Sequence, residues 1–228
     1  MKPEYLYGTP YCLKQSDEMF RMNSDTELLG RFMRLRRTDH VLDVGTNNGA
    51  LLLYAAFQKP ASLCGIDLFE EALTLARQNL RDNRAEAELI CTKLQDLRRE
   101  PFDVILCNPP FFPYSGKMVN ENEFLAAARH EKYLTLEELF EHVSRLLKDN
   151  GRFYLVHRAS RMNDIMEECF RRRMRPARIR IAYETKNKAA KSAVFEIVRG
   201  TGRQMVIEPP AFLDERSTYS ERSDENWM

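Results

Sequence analysis

No apolar run in this 228-residue sequence approaches the roughly 18–20 residues that a membrane-spanning helix needs, so none is expected. The opening stretch Met1-Lys2-Pro3-Glu4-Tyr5 lacks the apolar core of a secretory signal, and a cytoplasmic location is the expectation. Cysteine is scarce and badly spaced for cross-linking. The five (Cys12, Cys64, Cys91, Cys107 and Cys169) are odd in number and contain no C-x-x-C pair, which argues against a disulfide framework or a zinc site. Cys64, Cys91 and Cys107 fall in expected strands and read as small buried hydrophobes. The histidines (His40, His130, His142 and His157) are scattered, and no metal is expected. The net charge of only +1 gives no global argument for nucleic acid, but the charge is polarised along the chain. Hydrophobic content of 43% and charged content of 30% are those of a globular protein, and the length suits one α/β domain with a small appendage.

The most informative stretch is Asn108-Pro109-Pro110-Phe111 and what precedes it. Phe102 to Cys107 reads as a short buried strand. Pro109 and Pro110 have no N–H for a sheet ladder, and Asn108, preceding a proline, is pushed to an extended conformation. A rigid turn at a strand's carboxyl end follows. The Asn108 side-chain oxygen and the Pro109 carbonyl can accept the two hydrogens of a planar NH2, and Phe111 offers a face for a base to stack on. Such a motif resembles the amino-methyltransferases, whose (Asp/Asn/Ser)-Pro-Pro-(Tyr/Phe/Trp) motif serves methylation of nitrogen by S-adenosylmethionine. Without that chemistry it would be a strand-ending turn.

Upstream, residues 1–15 read as an irregular arm or short hairpin and Phe20-Arg21-Met22 as a brief strand. Ser24 to Glu27 reads as a capping box that opens a helix to about Arg36, with Leu28, Leu29, Phe32 and Leu35 on one face. His40 to Val44 is the first strong strand. It runs into Gly45-Thr46-Asn47-Asn48-Gly49 and a helix from Ala50, the opening of a nucleotide-binding unit. Asn47 stands where a glycine is usual, and Asn is among the few residues that tolerate φ > 0. Asp43 suits the amine of a bound methionine group. A second strand, Ala61 to Ile66, ends at Asp67, which can take ribose hydroxyls with Leu68 beside it or else cap the helix from Glu70 to Arg81. After a third strand, Glu88 to Cys91, Asp96 with Leu97 is a candidate for the adenine amine of the cofactor. All these acids and Asn108 fall at expected carboxyl ends, where ligands of open α/β sheets bind.

Beyond the motif, 112–123 reads as a substrate loop and 124–130 as helical. Thr135 to Lys148 is a helix with a Thr135/Glu138 capping box, ended by Asn150-Gly151. A strand from Arg152 to Val156, a helix from Ser160 to Arg172 and two strands, Ala177 to Tyr183 and Ser192 to Val198, complete the pattern. From Arg171 to Lys191 nine basic residues stand against one acid, Glu184, which suits a phosphate backbone or, more plainly, a solvated edge. From Glu208 to Met228 six acids stand against two arginines, and a flexible tail is expected.

Four stretches (Phe20 to Leu29, Asp43 to Gly49, Asn108 to Phe111 and Ala128-Arg129-His130-Glu131) together resemble the bacterial tRNA1(Val) (adenine(37)-N6)-methyltransferase family. The resemblance implies an α/β, Rossmann-like class I S-adenosylmethionine-dependent methyltransferase, with a mostly parallel sheet, C-terminal antiparallel strands and helices on both faces. It implies S-adenosylmethionine as cofactor, tRNA as partner, and a monomer or weak homodimer. The catalytic set would be Asn108, Pro109, Pro110 and Phe111. The cofactor would meet Asp43, Gly45, Thr46, Asn47, Gly49, Asp67, Leu68, Asp96, Leu97 and Asn108, and the substrate Phe112, Arg129, His130, Arg171, Arg172, Arg173 and Lys188. Three parts are expected: an arm and capping helix over 1–37 that face the substrate, a methyltransferase domain over 38–200, and a tail over 201–228. A protein-glutamine methyltransferase also grips a planar NH2, and a non-catalytic RNA-binding module would share the fold. A nicotinamide-dependent oxidoreductase is disfavoured because the G-x-G-x-x-G spacing is missing.

Overall fold

A computed structural model of the chain describes residues 4–16, 19–111, 133–200 and 204–213. A small antiparallel hairpin, β1 (Glu4–Tyr5) and β2 (Cys12–Leu13), precedes helix α1 (Ser24–Phe32). The alternation then begins: β3 (His40–Val44), α2 (Ala50–Phe57), β4 (Ser62–Asp67), α3 (Glu70–Asp82), β5 (Glu88–Cys91), β6 (Phe102–Cys107), α4 (Leu136–Leu146), β7 (Leu147–Arg158), α5 (Met162–Arg171), β8 (Met174–Tyr183) and β9 (Ala190–Arg199). Two short strands, β10 (Val206–Ile207) and β11 (Ala211–Phe212), follow.

Strands β3 to β7 pair in parallel in the order β7-β6-β3-β4-β5, as apolar runs joined through helices must. The central strands are buried on both faces, and their side chains alternate between two cores. On one face Ile105, Phe153 and Phe195 meet Leu139, Phe140, Val143 and Ile165 of α4 and α5. On the other Val104, Leu106, Tyr154 and Val194 meet Leu29 and Phe32 of α1 and Leu52 and Leu53 of α2. Truncating a fully buried Phe in such a layer costs about 3–5 kcal/mol. The order of strands along the sheet reverses between β3 and β6, which leaves a crevice at their carboxyl ends.

Strands β7, β9 and β8 form an antiparallel extension. Its register sets which end of the sheet each residue occupies. Arg158 lies opposite Ser192, and Tyr183 opposite Ala190, at the crevice end; Met174 lies opposite Arg199 at the far end.

Several expectations are corrected in detail. The cap of α1 is Asn23, not Ser24: its side chain accepts from the Asp25 and Thr26 N–H groups, and the helix stops at Phe32 because Met33 is extended. Phe20–Met22 is no strand. Helix α4 carries its Thr135/Glu138 capping box but ends at Leu146, and Asn150-Gly151 belongs to β7 where the pairing register shifts. A 3-10 turn, Ala159–Arg161, occupies the expected first turn of α5. Cys64 and Cys107 are buried but Cys91, at the tip of β5, is exposed.

Residues 204–213 also depart from a flexible tail. β10 and β11 pair in parallel with β8. Glu208 between them meets Arg178 at 2.8 Å, Arg34 at 3.4 Å and Arg180. Burial acts to raise the Glu208 carboxyl, but Arg178 and Arg180 hold it below its ordinary value. The expectations for 112–123, 124–130, Ala128 to Glu131 and the acids from Asp214 onward lie outside the described residues.

Candidate functional site

At the carboxyl ends of β3, β4 and β6 lies a cavity of about 370 Å3, within the size range of small-molecule sites. The turn after β3 forms its floor. Gly45, Asn47 and Gly49 have φ of 71°, 49° and 81°, so the sequence supplies left-handed backbone with two glycines and the asparagine that substitutes for a third. The Gly45 and Thr46 N–H groups both donate to the Ile66 carbonyl, at 3.0 and 2.9 Å, which fixes the turn against β4. Gly45, Thr46 and Asn47 line the cavity, whereas Gly49 sits behind them as the cap of α2.

The two carboxylates at the ends of β3 and β4 differ in kind. Asp67 lines the cavity, and its oxygens accept the Asn47 N–H at 2.9 Å and the Phe69 N–H at 3.1 Å. Burial raises its pKa although these bonds oppose the rise. Each oxygen keeps a lone pair for a ligand hydroxyl. Asp43 is fully buried behind the turn and does not line the cavity. Among the described residues neither of its oxygens has a hydrogen-bond partner, nor does the Thr46 hydroxyl above it. Burial pushes its pKa up to about 7, the Thr46 hydroxyl lying close enough to oppose the rise and the Asp67 charge adding to it. An unsatisfied acceptor pair under a glycine-rich turn is a poor structural choice on stability grounds.

Beside the glycine turn, at the end of the neighbouring strand β6, the Asn-Pro-Pro-Phe turn makes a second part of the cavity wall. Asn108, Pro109, Pro110 and Phe111 all line it. The Asn108 amide donates to the Thr26 hydroxyl at 2.9 Å. Phe111 is braced by His157, with ring centroids 5.2 Å apart, and by the Arg158 guanidinium 5.7 Å from its centroid. His157 is buried and takes the Arg158 N–H on Nδ1; burial is the main reason its pKa falls to about 4, so it is neutral near pH 7.

Other sequence candidates sit elsewhere. Asp96 is exposed on the 3-10 turn Leu94–Asp96 and Leu97 is buried beyond it; the cavity is lined instead by Thr92, Leu94 and Gln95, with Leu68, Phe69 and Tyr133. Arg171, Arg172 and Arg173 lie at the far end of the sheet, because β8 starts there and runs toward the crevice. Arg171 and Arg172 are moreover paired with Glu168. Lys188 is at the crevice end, in the turn between β8 and β9, exposed and paired with Glu184 at 2.8 Å. Phe112, Arg129 and His130 are outside the described residues.

Several lining residues were not singled out individually from the sequence, although Phe20 to Leu29 carried the family resemblance and Lys191 closed the basic stretch. Asn23, Asp25 and Thr26 come from the start of α1, Arg158 from β7 and Lys191 from β9. The Ser192 hydroxyl donates to Asp25 at 2.5 Å, and Lys191 reaches Ser24 at 3.3 Å, so α1 is fastened to β9 beside the cavity. The Asn47 side chain donates to the Phe20 carbonyl at 2.6 Å, which draws the arm over the glycine turn. Among the described residues no group of three His, Cys, Asp or Glu is placed to hold a metal ion. None of the helices described is long and apolar enough to cross a membrane.

Against known proteins, the model of the family described as "Methyltransferase small domain" matches residues 19–180. A tRNA1(Val) (adenine(37)-N6)-methyltransferase of Shewanella woodyi is 29% identical over 156 residues, covering 64% of this chain and 63% of that one. Its counterpart from Shewanella halifaxensis is 32% identical over 144 residues, covering 59% and 56%. The chain thus matches less than two thirds of the length of these curated relatives. Among solved structures, a ribosomal protein L11 methylase from Lactobacillus delbrueckii subsp. bulgaricus superposes with a TM-score of 0.58 at 19% identity, covering 81% of this chain and 83% of that one, a likeness of fold.

Proposed function

The chain belongs to the methyltransferase small domain family, and from that premise we propose that it transfers a methyl group from S-adenosylmethionine to the exocyclic N6 of an adenine in tRNA. The observation that carries this reading is that Asn108, Pro109 and Phe111 share one cavity with Asp67 and the glycine turn. An amine-gripping motif and a nucleoside-gripping carboxylate in one cavity are what a nitrogen methyl transfer requires. The relatives, named as tRNA (adenine-N6)-methyltransferases, suggest the tRNA and the adenine.

When bound, S-adenosylmethionine supplies an electrophilic methyl on a sulfonium. The residues that would hold it are Asp67 at the ribose, the Gly45–Asn47 turn, and Leu68, Phe69 and Leu94 around its base. Asp43, buried below the turn, adds a second carboxyl behind that wall, which favours a ligand's amine over an anion there. The remaining chemistry belongs to the acceptor wall. An adenine amine is a poor nucleophile because its lone pair is delocalised into the ring. The Asn108 oxygen and the Pro109 carbonyl accept its two hydrogens, which localises the lone pair and points it toward the cofactor wall. Phe111 stacks on the base and prevents rotation. Catalysis is then chiefly positioning, with an acidic product amine that sheds its proton without a strong base. The base must leave its stack to enter, which is easier in a loop than in a duplex.

The test is incorporation of labelled methyl from S-adenosylmethionine into bulk tRNA, followed by nucleoside analysis. Label in N6-methyladenosine is expected. Label absent from RNA, with cofactor still bound, overturns the reading, and label recovered in glutamine would assign the protein-modifying class instead.

A further inference from the structure

We propose that Thr26 is a positioning residue that sets which end of the Asn108 amide faces the acceptor amine. The inference rests on the methyl-transfer reading of the same cavity and goes beyond it by naming the device that gives Asn108 its polarity. An asparagine amide has an acceptor end and a donor end of nearly equal shape, and it can grip an NH2 only with its oxygen. Something must forbid the flip.

The restraint begins at the start of α1. Asn23 caps that helix, and its side chain faces two backbone donors, the Asp25 N–H at 3.0 Å and the Thr26 N–H at 3.1 Å. Only an oxygen fits there, because an NH2 would meet donors with donors. The Thr26 hydroxyl lies 3.3 Å from that same oxygen. The proton between them is the hydroxyl's own, so Thr26 donates to Asn23. Its oxygen then offers only lone pairs to its other neighbour, Asn108, 2.9 Å away. Asn108 is compelled to present its NH2 to Thr26, and its oxygen takes the other branch of the amide. The polarity thus runs from helix N–H to Asn23 oxygen, to Thr26 hydroxyl, to Asn108 amide, each link leaving one choice. Thr26 is 6% exposed, so water competes little for these bonds. The restraint comes from 82 residues earlier in the chain.

Replacing the hydroxyl with a methyl group of the same size frees the flip and leaves the packing alone. Thr26→Val is expected to lower kcat for methyl transfer on the order of ten- to hundredfold, the range for removing one buried hydrogen-bond partner. The cofactor dissociation constant, measured by calorimetry, should stay within about threefold, since the Thr26 hydroxyl is bonded to Asn23 and Asn108 and to none of Gly45, Thr46, Asn47 or Asp67. Thr26→Ser restores the hydroxyl and should restore kcat. In asparagine-labelled protein the Asn108 side-chain amide resonance should move in Thr26→Val and return in Thr26→Ser. A Thr26→Val variant that turns over like the parent, or a loss that Thr26→Ser does not repair, overturns the proposal. So does an unchanged Asn108 amide resonance. If the parent protein methylates no RNA, the functional reading fails by itself, and the resonance still decides whether Thr26 orients Asn108.

Discussion

The two walls of the cavity are built by opposite means. On the β3–β4 wall the parts are close in sequence, and backbone does most of the holding. Asp43, the Gly45–Asn47 turn and Asp67 lie within 25 consecutive positions, and the turn is closed by N–H groups donated to the Ile66 carbonyl and the Asp67 carboxylate. On the β6 wall the parts come from four elements. Asn108 leans on Thr26, Asp25 on Ser192 and Phe111 on His157 and Arg158, all by side chains. The wall assigned to the cofactor is a local motif, and the wall assigned to the acceptor is an assembly. A local motif can be read from a string of residues and is hard to perturb from afar. An assembly can be changed at any of its contributors.

The sharpest way to break this comparison is Asn108→Ala. If the walls divide the labour, methyl transfer should fall on the order of a thousandfold, in the upper range for removing one preorganised polar group from the reacting centre. Cofactor affinity should hold. Equal losses in kcat and in cofactor binding, followed by calorimetry and labelled-methyl kinetics, would mean that the walls are not separate.

A second test addresses the unsatisfied carboxylate. Asp43 has a folded pKa near 7 against an ordinary 3.8. Between these values the folded protein holds a proton that the unfolded chain releases. The penalty of burying Asp43 is therefore absent below about pH 3.8, grows as pH rises, and is complete above about 7. Asp43→Asn should raise Tm of the ligand-free protein at pH 8 by about 2–4 °C, and the gain should shrink toward pH 4. It should also weaken cofactor binding. A variant less stable at pH 8 would show that Asp43 is satisfied from within the protein.

The smallest effect concerns charge. Lys188→Ala with Lys191→Ala, at the crevice end, should reduce the slope of log affinity for tRNA against log salt by about one for each phosphate that is no longer neutralised. Arg171→Ala with Arg172→Ala, at the far end, should leave it unchanged. The reverse result would move the RNA path to the opposite end of the sheet.

How far the sequence could be read follows the same division. The strands His40–Val44 and Phe102–Cys107 were legible because their apolar runs end at Gly45 and at Asn108-Pro109. The Thr135/Glu138 capping box was legible from its spacing. Asn23 was not, because Asn23-Ser24-Asp25-Thr26 offers four adjacent residues that can all cap a helix, and the partners that tie this turn down, Asn108 and Ser192, lie far away in the chain. Asp96 was misplaced because a 3-10 turn rotates about 120° per residue, so a one-position error moves a side chain out of the cavity. The basic stretch misled for a geometric reason: β8 has 10 residues, about 33 Å of strand, so charges contiguous in sequence sit at both ends of the sheet. Arg178 and Arg180 in its middle are consumed by Glu208.

The clasp around Arg178 bears on the order in which the molecule can be made. Arg178 lies 3.8 Å over the Phe32 ring of α1, donates to the Phe32 carbonyl 146 residues earlier, and is gripped in turn by Glu208. During synthesis the glycine turn and its strands can pair as soon as β4 has emerged from the ribosome. The helix that carries Asn23 and Thr26 cannot be clasped until Glu208 is out. A nascent chain would therefore acquire the wall assigned to the cofactor well before the other, and pairings of such long sequence separation are the slow ones to form.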